Sequence, residues 1–291
     1  MKADNKGKRY RDYNTYLRDL FGERVQKIPL DAGLGCPNRD GTIGQGGCIY
    51  CDGRGSGTGA LVDGGLSIEE QVQRGRAFAS ARYGASLFIA YFQSFTNTYA
   101  PVETLRSLYR RALSAPGMVG LSVGTRPDCA GKEVLDLLAD FGQKYVVWVE
   151  YGLQSSHDST LAVINRGHDA ACFEDAVQRT AARGLNVCAH VILGLPGETP
   201  EMMAETALYL ARLPVSGVKI HLLYVVADSP MGALYRQGRY RCLDRREYVD
   251  LVVAFLERLP WRIVVQRLTG DPPRDLRVLG PDWAYDKTET L

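Results

Sequence analysis

MVGLSVGTRPDCAGKEVLDLLADFGQKYVVWVEYG, residues 118–152, reads as strand, helix, strand. MVGLSVG (118–124) and YVVWVEYG (145–152) are apolar nearly throughout, not alternating, as in strands buried on both faces of a parallel sheet. KEVLDLLADFG (132–142) between them carries its apolar residues at helical spacing. Upstream, VQKIPL (25–30) and SLFIAYFQ (86–93) read as strands. The helices there are SIEEQVQRGRAFASARY (67–83), with a Ser cap and an acidic first turn, and PVETLRSLYRRALSA (101–115), opening on Pro. Downstream come helical segments at 156–165 and 170–183, strand NVCAHVILG (186–194), helix PEMMAETALYLARL (200–213) and strand GVKIHLLYVV (217–226). A helix at 244–258 and a strand at 262–266 close the pattern. Such alternation predicts an α/β fold, either a β/α barrel or an open doubly wound sheet. Functional side chains then belong at the C-terminal ends of the strands.

Hydrophobic residues make up 45% of the 291, enough for a sizeable core, and the net charge of +2 gives no global nucleic-acid signature. The charge is uneven, because residues 1–30 hold eight Lys/Arg against four Asp/Glu. That stretch reads either as a solvated, fraying terminus or as a basic arm for phosphates. No apolar core follows the charges of MKADNKGKRYRDY, and no apolar run approaches the roughly 20 residues that span a bilayer. The expectation is a cytoplasmic protein without a membrane segment. In that compartment seven cysteines read as metal ligands before disulfides.

Three of them cluster in CPNRDGTIGQGGCIYC (36–51), where Cys36, Cys48 and Cys51 are spaced C-x11-C-x2-C. The intervening glycines let the backbone wrap tightly. A structural zinc site wants a fourth ligand, and the next cysteine is distant Cys129. Three thiolates on a [4Fe–4S] cluster leave one iron open to another ligand, and this is the favoured reading; a zinc site with an open position is the alternative. Cys129, Cys172, Cys188 and Cys242 show no C-x2-C spacing for a second cluster.

The cysteine loop after the first strand, with Tyr50 between the close cysteines and about six β/α units following, resembles the radical S-adenosylmethionine (SAM) superfamily. SVGTRPDC (122–129), EYGLQSSHDSTLAVINRGH (150–168) and VILGLPGET (191–199) are similar to the catalytic subunit of Elongator and its bacterial relatives. The x11 spacing, PNRDGT, YFQSFT, GTRPD and INRGHD resemble most the bacterial YhcC-like subfamily, over about residues 10–267. The resemblance implies a partial (β/α)6 barrel. We divide the chain into a basic N-terminal extension (1–24), a barrel core (25–240) containing the cluster loop (33–65), and a C-terminal extension (241–291). It also implies a [4Fe–4S] cluster and SAM as cofactors, an electron donor such as flavodoxin or ferredoxin, and reductive SAM cleavage followed by hydrogen abstraction from a substrate carbon. A modified wobble uridine in tRNA is the expected substrate; a small molecule, or a non-catalytic Fe–S or zinc protein partnering another enzyme, are the alternatives. The arm and RQGRYRCLDRR (236–246) would hold tRNA phosphates.

Site residues follow from the same resemblance. Tyr50 occupies a position that often touches adenine. Gln154 and Arg166 match a Gln and an Arg that contact the cofactor in related enzymes such as the anaerobic coproporphyrinogen oxidase. His190 stands where that oxidase has a ribose-binding Asp, and Ile192 and Gly194 would face adenine. Relatives often carry Glu before Thr-Arg-Pro-Asp; here it is Gly124, and Glu150 on the neighbouring strand is the expected replacement. Two residues before His190, Cys188 shares its face and is a candidate hydrogen-atom donor. Gln93, Thr96, Asn97, Arg126, His221, Gln266 and Arg267 are candidates to face the substrate, although Arg126 and Asp128 could instead pair with each other.

Overall fold

The structure, a computed structural model, describes residues 7–53, 55, 65–270, 272 and 276–290. Helix α1 (Tyr13–Phe21) is followed by strand β1 (Val25–Leu30) and α2 (Ile68–Tyr83). Then come β2 (Leu87–Phe92), α3 (Val102–Leu113), β3 (Met118–Thr125), α4 (Lys132–Gly142) and β4 (Val146–Gln154). Two helices, α5 (Asp158–Val163) and α6 (Ala170–Ala181), lead to β5 (Asn186–Leu193), α7 (Pro200–Arg212) and β6 (Gly217–Leu222). The C-terminal part holds β7 (Val225–Val226), α8 (Pro230–Arg236), α9 (Arg245–Glu257), β8 (Val264–Arg267), β9 (Val278–Gly280) and α10 (Lys287–Thr290).

Seven strands form one parallel sheet in the order β1-β2-β3-β4-β5-β6-β8. The sheet curls into a partial barrel, as the family resemblance implied, and not into the open doubly wound sheet that the alternation also allowed. Its two edges approach each other across the lumen, where Lys27 Nζ on β1 lies 2.7 Å from Gln266 Oε1 on β8. Helices cover the convex face. There the second side-chain set of each strand, including Phe92, Leu121, Val149, Tyr151 and Val187, packs with helix residues such as Tyr109, Leu135, Leu138 and Phe173. Burial on both faces is what makes the strands uniformly apolar.

The lumen is plugged at its N-terminal end. Tyr13 and Tyr16 of α1 meet Trp148 edge-on, with ring centroids 5.7 and 5.6 Å away, and this aromatic layer joins Cys188 and Val264. Such edge-to-face pairs contribute about 0.5–1.5 kcal/mol each beyond burial. From residue 11 on, the terminus is therefore packed against the barrel rather than a free solvated arm. The Val265 amide donates to the Arg11 carbonyl at 2.8 Å, and Asp12 caps α1 by accepting from the Thr15 amide. Residues 1–6 of the basic arm lie outside the described part.

The apolar run 217–226 is not one strand. Beyond Leu222 the chain leaves the sheet, and Val225–Val226 pairs antiparallel with β9. Leu223 and Val225 pack in a separate cluster with Leu161, Ile164 and Ile192, against Ile49 and Tyr50 of the cysteine loop. One hydrophobic stretch thus serves two buried surfaces, which periodicity does not distinguish.

Candidate active site

A cavity of about 290 Å³ opens at the C-terminal ends of the strands. Cys36, Cys48 and Cys51 all line it, at one pole. The loop that carries them turns around Asn38. The Asn38 amide nitrogen donates to the Asn165 carbonyl at 2.7 Å and sits 3.7 Å from Cys48 Sγ. Asn165, itself at φ +51°, returns a bond from its amide to the Gly47 carbonyl at 2.7 Å. Glycine is required at Gly44, where a Cβ would lie 2.4 Å from Asn38 Oδ1. Arg166 places Nη1 3.7 Å from Cys48 Sγ and donates through Nη2 to the Gly152 carbonyl at 2.7 Å. The Cys51 thiol, and after it the Arg166 guanidinium, hold the buried Cys48 thiol well below its ordinary range despite burial. A thiolate is the state that ligates metal.

The donor set suits a cluster: three thiolates from one loop leave a fourth position open. Among the described residues, Glu150, Cys188 and His190 also bring three ligand atoms within 4.8 Å of one another. That second triad already faces two ammonium groups, so it is a poor cation site.

Glu150 is the centre of the cavity floor. Its side chain is fully buried, and four strands converge on it. Oε1 accepts from Lys27 Nζ at 2.5 Å and from the Ser122 hydroxyl; Oε2 accepts from Lys219 Nζ and from His190 Nε2, the last at 2.7 Å. Against its own burial, Lys219 and then Lys27 hold this carboxyl well below the carboxylate range. Lys219 also donates to the Tyr91 hydroxyl at 2.9 Å. Burial pushes His190 down to about 4 even with Glu150 beside it, so the imidazole is neutral near pH 7. With Nε2–H donating to Glu150, Nδ1 is left as an acceptor. The His221 ring lies 5.1 Å from that of His190, and its buried Nε2 has no partner.

The remaining expected residues divide. Tyr50, Gln93, Thr96, Arg126, Glu150, Gln154, Arg166, His190, Ile192, His221 and Arg267 line the cavity. Four do not. Asn97 donates from its side chain to the carbonyls of Ser94 (2.9 Å) and Gly124 (3.0 Å), fastening the loop after β2. Gly194 packs under the C-terminal segment, where a Cβ would lie 2.8 Å from Leu243. Gln266 is held by Lys27, and Cys188 is fully buried in the layer beneath the floor. Burial, then Glu150, pushes the Cys188 thiol well up, so it keeps its hydrogen. Arg126 lines the cavity while forming a two-pronged pair with Asp128, at 2.9 and 2.6 Å. Gly124 is the register neighbour of Glu150, and a Cβ on it would lie 3.2 Å from the Phe92 carbonyl oxygen. The carboxylate thus sits one strand over from the glycine, but its oxygens are taken up by Lys27, Lys219, Ser122 and His190 rather than turned toward a cofactor, against the expected replacement.

Sequence reading missed Lys27, Lys219, Asn38 and Gly152. Lys27 and Lys219 were readable only as charges inside apolar strands, VQKIPL and GVKIHL. Gly152 carries a subtler signal, because a Cβ there would sit 2.5 Å from Gln154 Nε2 and 2.7 Å from Arg166 Nη2.

Residues 33–210 match the family model of the radical SAM superfamily, and residues 215–291 match that of the radical SAM C-terminal domain. The chain belongs to the radical SAM superfamily. The cofactors of this superfamily are a [4Fe–4S] cluster and SAM. The chain is 43% identical to YtqA of Bacillus subtilis over 293 residues, covering 99% of this chain and 88% of that protein. It is 39% identical to YhcC of Escherichia coli, covering 94% and 88%. Over 158 residues it is 28% identical to the tRNA uridine(34) acetyltransferase of Dehalococcoides mccartyi, covering 53% of this chain and 34% of that protein. The archaeal Methanocaldococcus infernus Elp3 has the same fold, with a TM-score of 0.70 at 16% identity, covering 91% of this chain and 62% of that one. These likenesses place the chain on the Elongator-like branch, beside YhcC.

Proposed function

We propose that this chain reductively cleaves SAM and directs the resulting radical at a carbon of an already modified uridine side chain in tRNA. The observation that carries the proposal is one cavity with two poles: three cysteines beside a buried guanidinium at one, a polar floor at the other. Cys36, Cys48 and Cys51 hold the cluster in this reading, leaving one iron for SAM. When bound, the two cofactors supply an electron to the sulfonium and a 5′-deoxyadenosyl radical that takes hydrogen from the substrate.

The chain's own residues orient and enclose. Arg166 and Gln154, brought together over Gly152, take the polar end of SAM, and Tyr50 with Ile192 flanks its adenine. His190 Nδ1 is the acceptor for a ribose hydroxyl. Glu150 does not reach for the cofactor itself; it fixes the His190 ring and tautomer from behind. The plugged lumen keeps water and stray hydrogen donors from that end. Cys188 lies one layer below the floor, behind Glu150 and His190, and does not line the cavity, so the expected hydrogen-atom donation to a substrate there has no direct path and is not part of this reading.

Support for tRNA comes from the shared segment with the tRNA uridine(34) acetyltransferase. The chain runs in the cytoplasm in this reading, with flavodoxin or ferredoxin as the electron donor; among the described residues no helix is long and apolar enough to cross a membrane. The test is anaerobic: reconstituted protein, SAM and dithionite, with tRNA from a strain lacking the gene. Release of 5′-deoxyadenosine stimulated by that tRNA, and not by tRNA from the parent strain, is the expected result. Stimulation by neither tRNA removes the nucleic-acid reading and leaves a small-molecule substrate.

A further inference from the structure

Strand β8 contains a bulge that changes what the cavity sees. The ladder with β6 runs Gly217 to Val264 and Val218 to Val265, then jumps so that Lys219 pairs with Arg267. Gln266 is the extra residue. In an unbroken strand Val264 and Gln266 would face the lumen and Arg267 the helices. The bulge puts two consecutive residues opposite one partner and re-aims the second of them. Gln266 still reaches Lys27 inside the lumen, yet Arg267 lines the cavity as well.

The result is an electrostatic imbalance. Lys219 and Arg267 are like charges on paired positions, an arrangement that costs stability in a sheet unless something compensates. Lys27 adds a third cation, and Glu150 is the one carboxylate on the floor among the described residues. Glu150 is shared between the two lysines, and Arg267 has no ion-pair partner among the described residues. Two further groups at this pole have unmet hydrogen-bonding capacity: His221 Nε2 and the Gln266 amide nitrogen are buried without partners. Both histidines are held neutral by burial, so neither adds to nor offsets the charge. The Arg166 pole is separate, having the thiolate of Cys48 for its counter-charge.

We propose that this pole is an anion subsite for the substrate: Arg267, with Lys219 behind it and His221 beside it, receives a carboxylate or phosphate carried by the molecule whose carbon is attacked. The proposal rests on the cavity being the reaction chamber. A guanidinium offers a planar fork matched to either anion, and the lysine behind strengthens the local field. Among the described residues no carboxylate pairs with Arg267, which is exposed and lines the cavity, so an anion there gains a charged partner that a neutral analogue does not.

The test uses reconstituted holoprotein with SAM and four probes: a uridine bearing a carboxymethyl group on its base, the methyl ester of that nucleoside, uridine 5′-monophosphate, and uridine. Dissociation constants are measured for the parent, Arg267→Gln and Arg267→Lys. A carboxylate subsite gives at least a tenfold preference for the acid over its ester. Arg267→Gln abolishes that preference, and Arg267→Lys restores part of it. A phosphate subsite shows the same pattern for the monophosphate over uridine instead. Equal affinity within both pairs in the parent, or a preference that survives Arg267→Gln, overturns the proposal. Failure of the tRNA reading looks different: the acid-over-ester preference persists while tRNA does not stimulate 5′-deoxyadenosine release. Stimulation by tRNA without any anion preference keeps that reading and removes the subsite.

Discussion

The two poles of the cavity are built in opposite ways. The cysteine pole comes from one contiguous stretch, residues 36–51, fastened by Asn165 and Arg166 from the turn after α5. Backbone geometry holds it: positive-φ glycines at 41, 46 and 47, and amides facing carbonyls. The floor draws Lys27, Ser122, Glu150, His190 and Lys219 from five different strands, and charge holds it. Damage to the first should abolish chemistry and leave the barrel standing. Damage to the second should reach the barrel itself.

Cys48→Ala should have the largest effect. Iron content should drop from about four per chain and SAM cleavage should vanish, because two thiolates do not hold a cubane. Cys129→Ser should keep the iron, since burial, then Asp128, pushes that thiol up to about 12 and leaves it a poor ligand. Four irons and parent-rate 5′-deoxyadenosine in Cys48→Ala would break the comparison at its first pole. Glu150→Gln tests the second. It leaves the buried Lys219 and the half-buried Lys27 without a counter-charge, for which the cost is about 3–5 kcal/mol. Urea unfolding of the apoprotein, which has no cluster to confuse the reading, should show it; an unchanged midpoint contradicts a floor held by charge.

Acid should act on the floor in the same sense. Unfolded histidine takes a proton near pH 6.5, while folded His190 does so only near 4. Between those values the unfolded chain binds more protons, so stability falls as pH falls, by at most about 3 kcal/mol for this residue. Glu150 adds to the loss below about pH 4.3, because its folded value is depressed. His190→Asn should flatten the dependence of unfolding free energy on pH between about 6.5 and 4. A slope as steep as the parent's assigns that loss to other groups.

What was legible follows the same division. Alternating strands and helices were readable because each element spans enough residues to show its period. The cysteine loop was readable because its ligands are close in sequence. The floor was half readable: Glu150 and His190 stood out as polar groups inside apolar strands, but their partners lie up to 123 residues away, as with Lys27. No local pattern reports that pairing. Nor does it report the bulge at Gln266, which decides where Arg267 points. Helix α1 was hidden for another reason, since its polar-rich sequence buries few residues, yet two of its tyrosines close the barrel.

Gly152→Ala sharpens the boundary between the poles. The added methyl displaces the ends of Gln154 and Arg166 without touching the charge network. Losing one charged hydrogen bond to the cofactor costs about 1.5–3 kcal/mol, a tenfold or greater rise in the SAM dissociation constant. Calorimetric titration of reconstituted protein reads this directly. Unaltered affinity would detach Arg166 and Gln154 from the cofactor and leave Arg166 only its hold on Cys48.

The smallest effect belongs to the surface. Of the five arginines in 236–246, Arg241 is paired with Glu247 and Arg245 with Asp286 and Glu289, while Arg236 donates to the Ala227 carbonyl. These hold the C-terminal segment together and are poorly placed to meet phosphates. Arg239 and Arg246 remain exposed; Arg239 has a single long bond of 3.4 Å to Gln237, and Arg246 has no ion-pair partner among the described residues. The stretch crosses the cavity end of the sheet, where the Tyr240 hydroxyl donates to the Gly194 carbonyl at 2.7 Å. If tRNA approaches there, Arg239→Glu with Arg246→Glu removes about two phosphate contacts, lowering the slope of log affinity against log salt by roughly 1–2. Arg241→Gln should instead lower stability slightly, since an exposed pair contributes about 0–1 kcal/mol. Filter binding of tRNA at several salt concentrations separates the two groups, and equal slopes for the parent and the double variant would move the tRNA surface elsewhere.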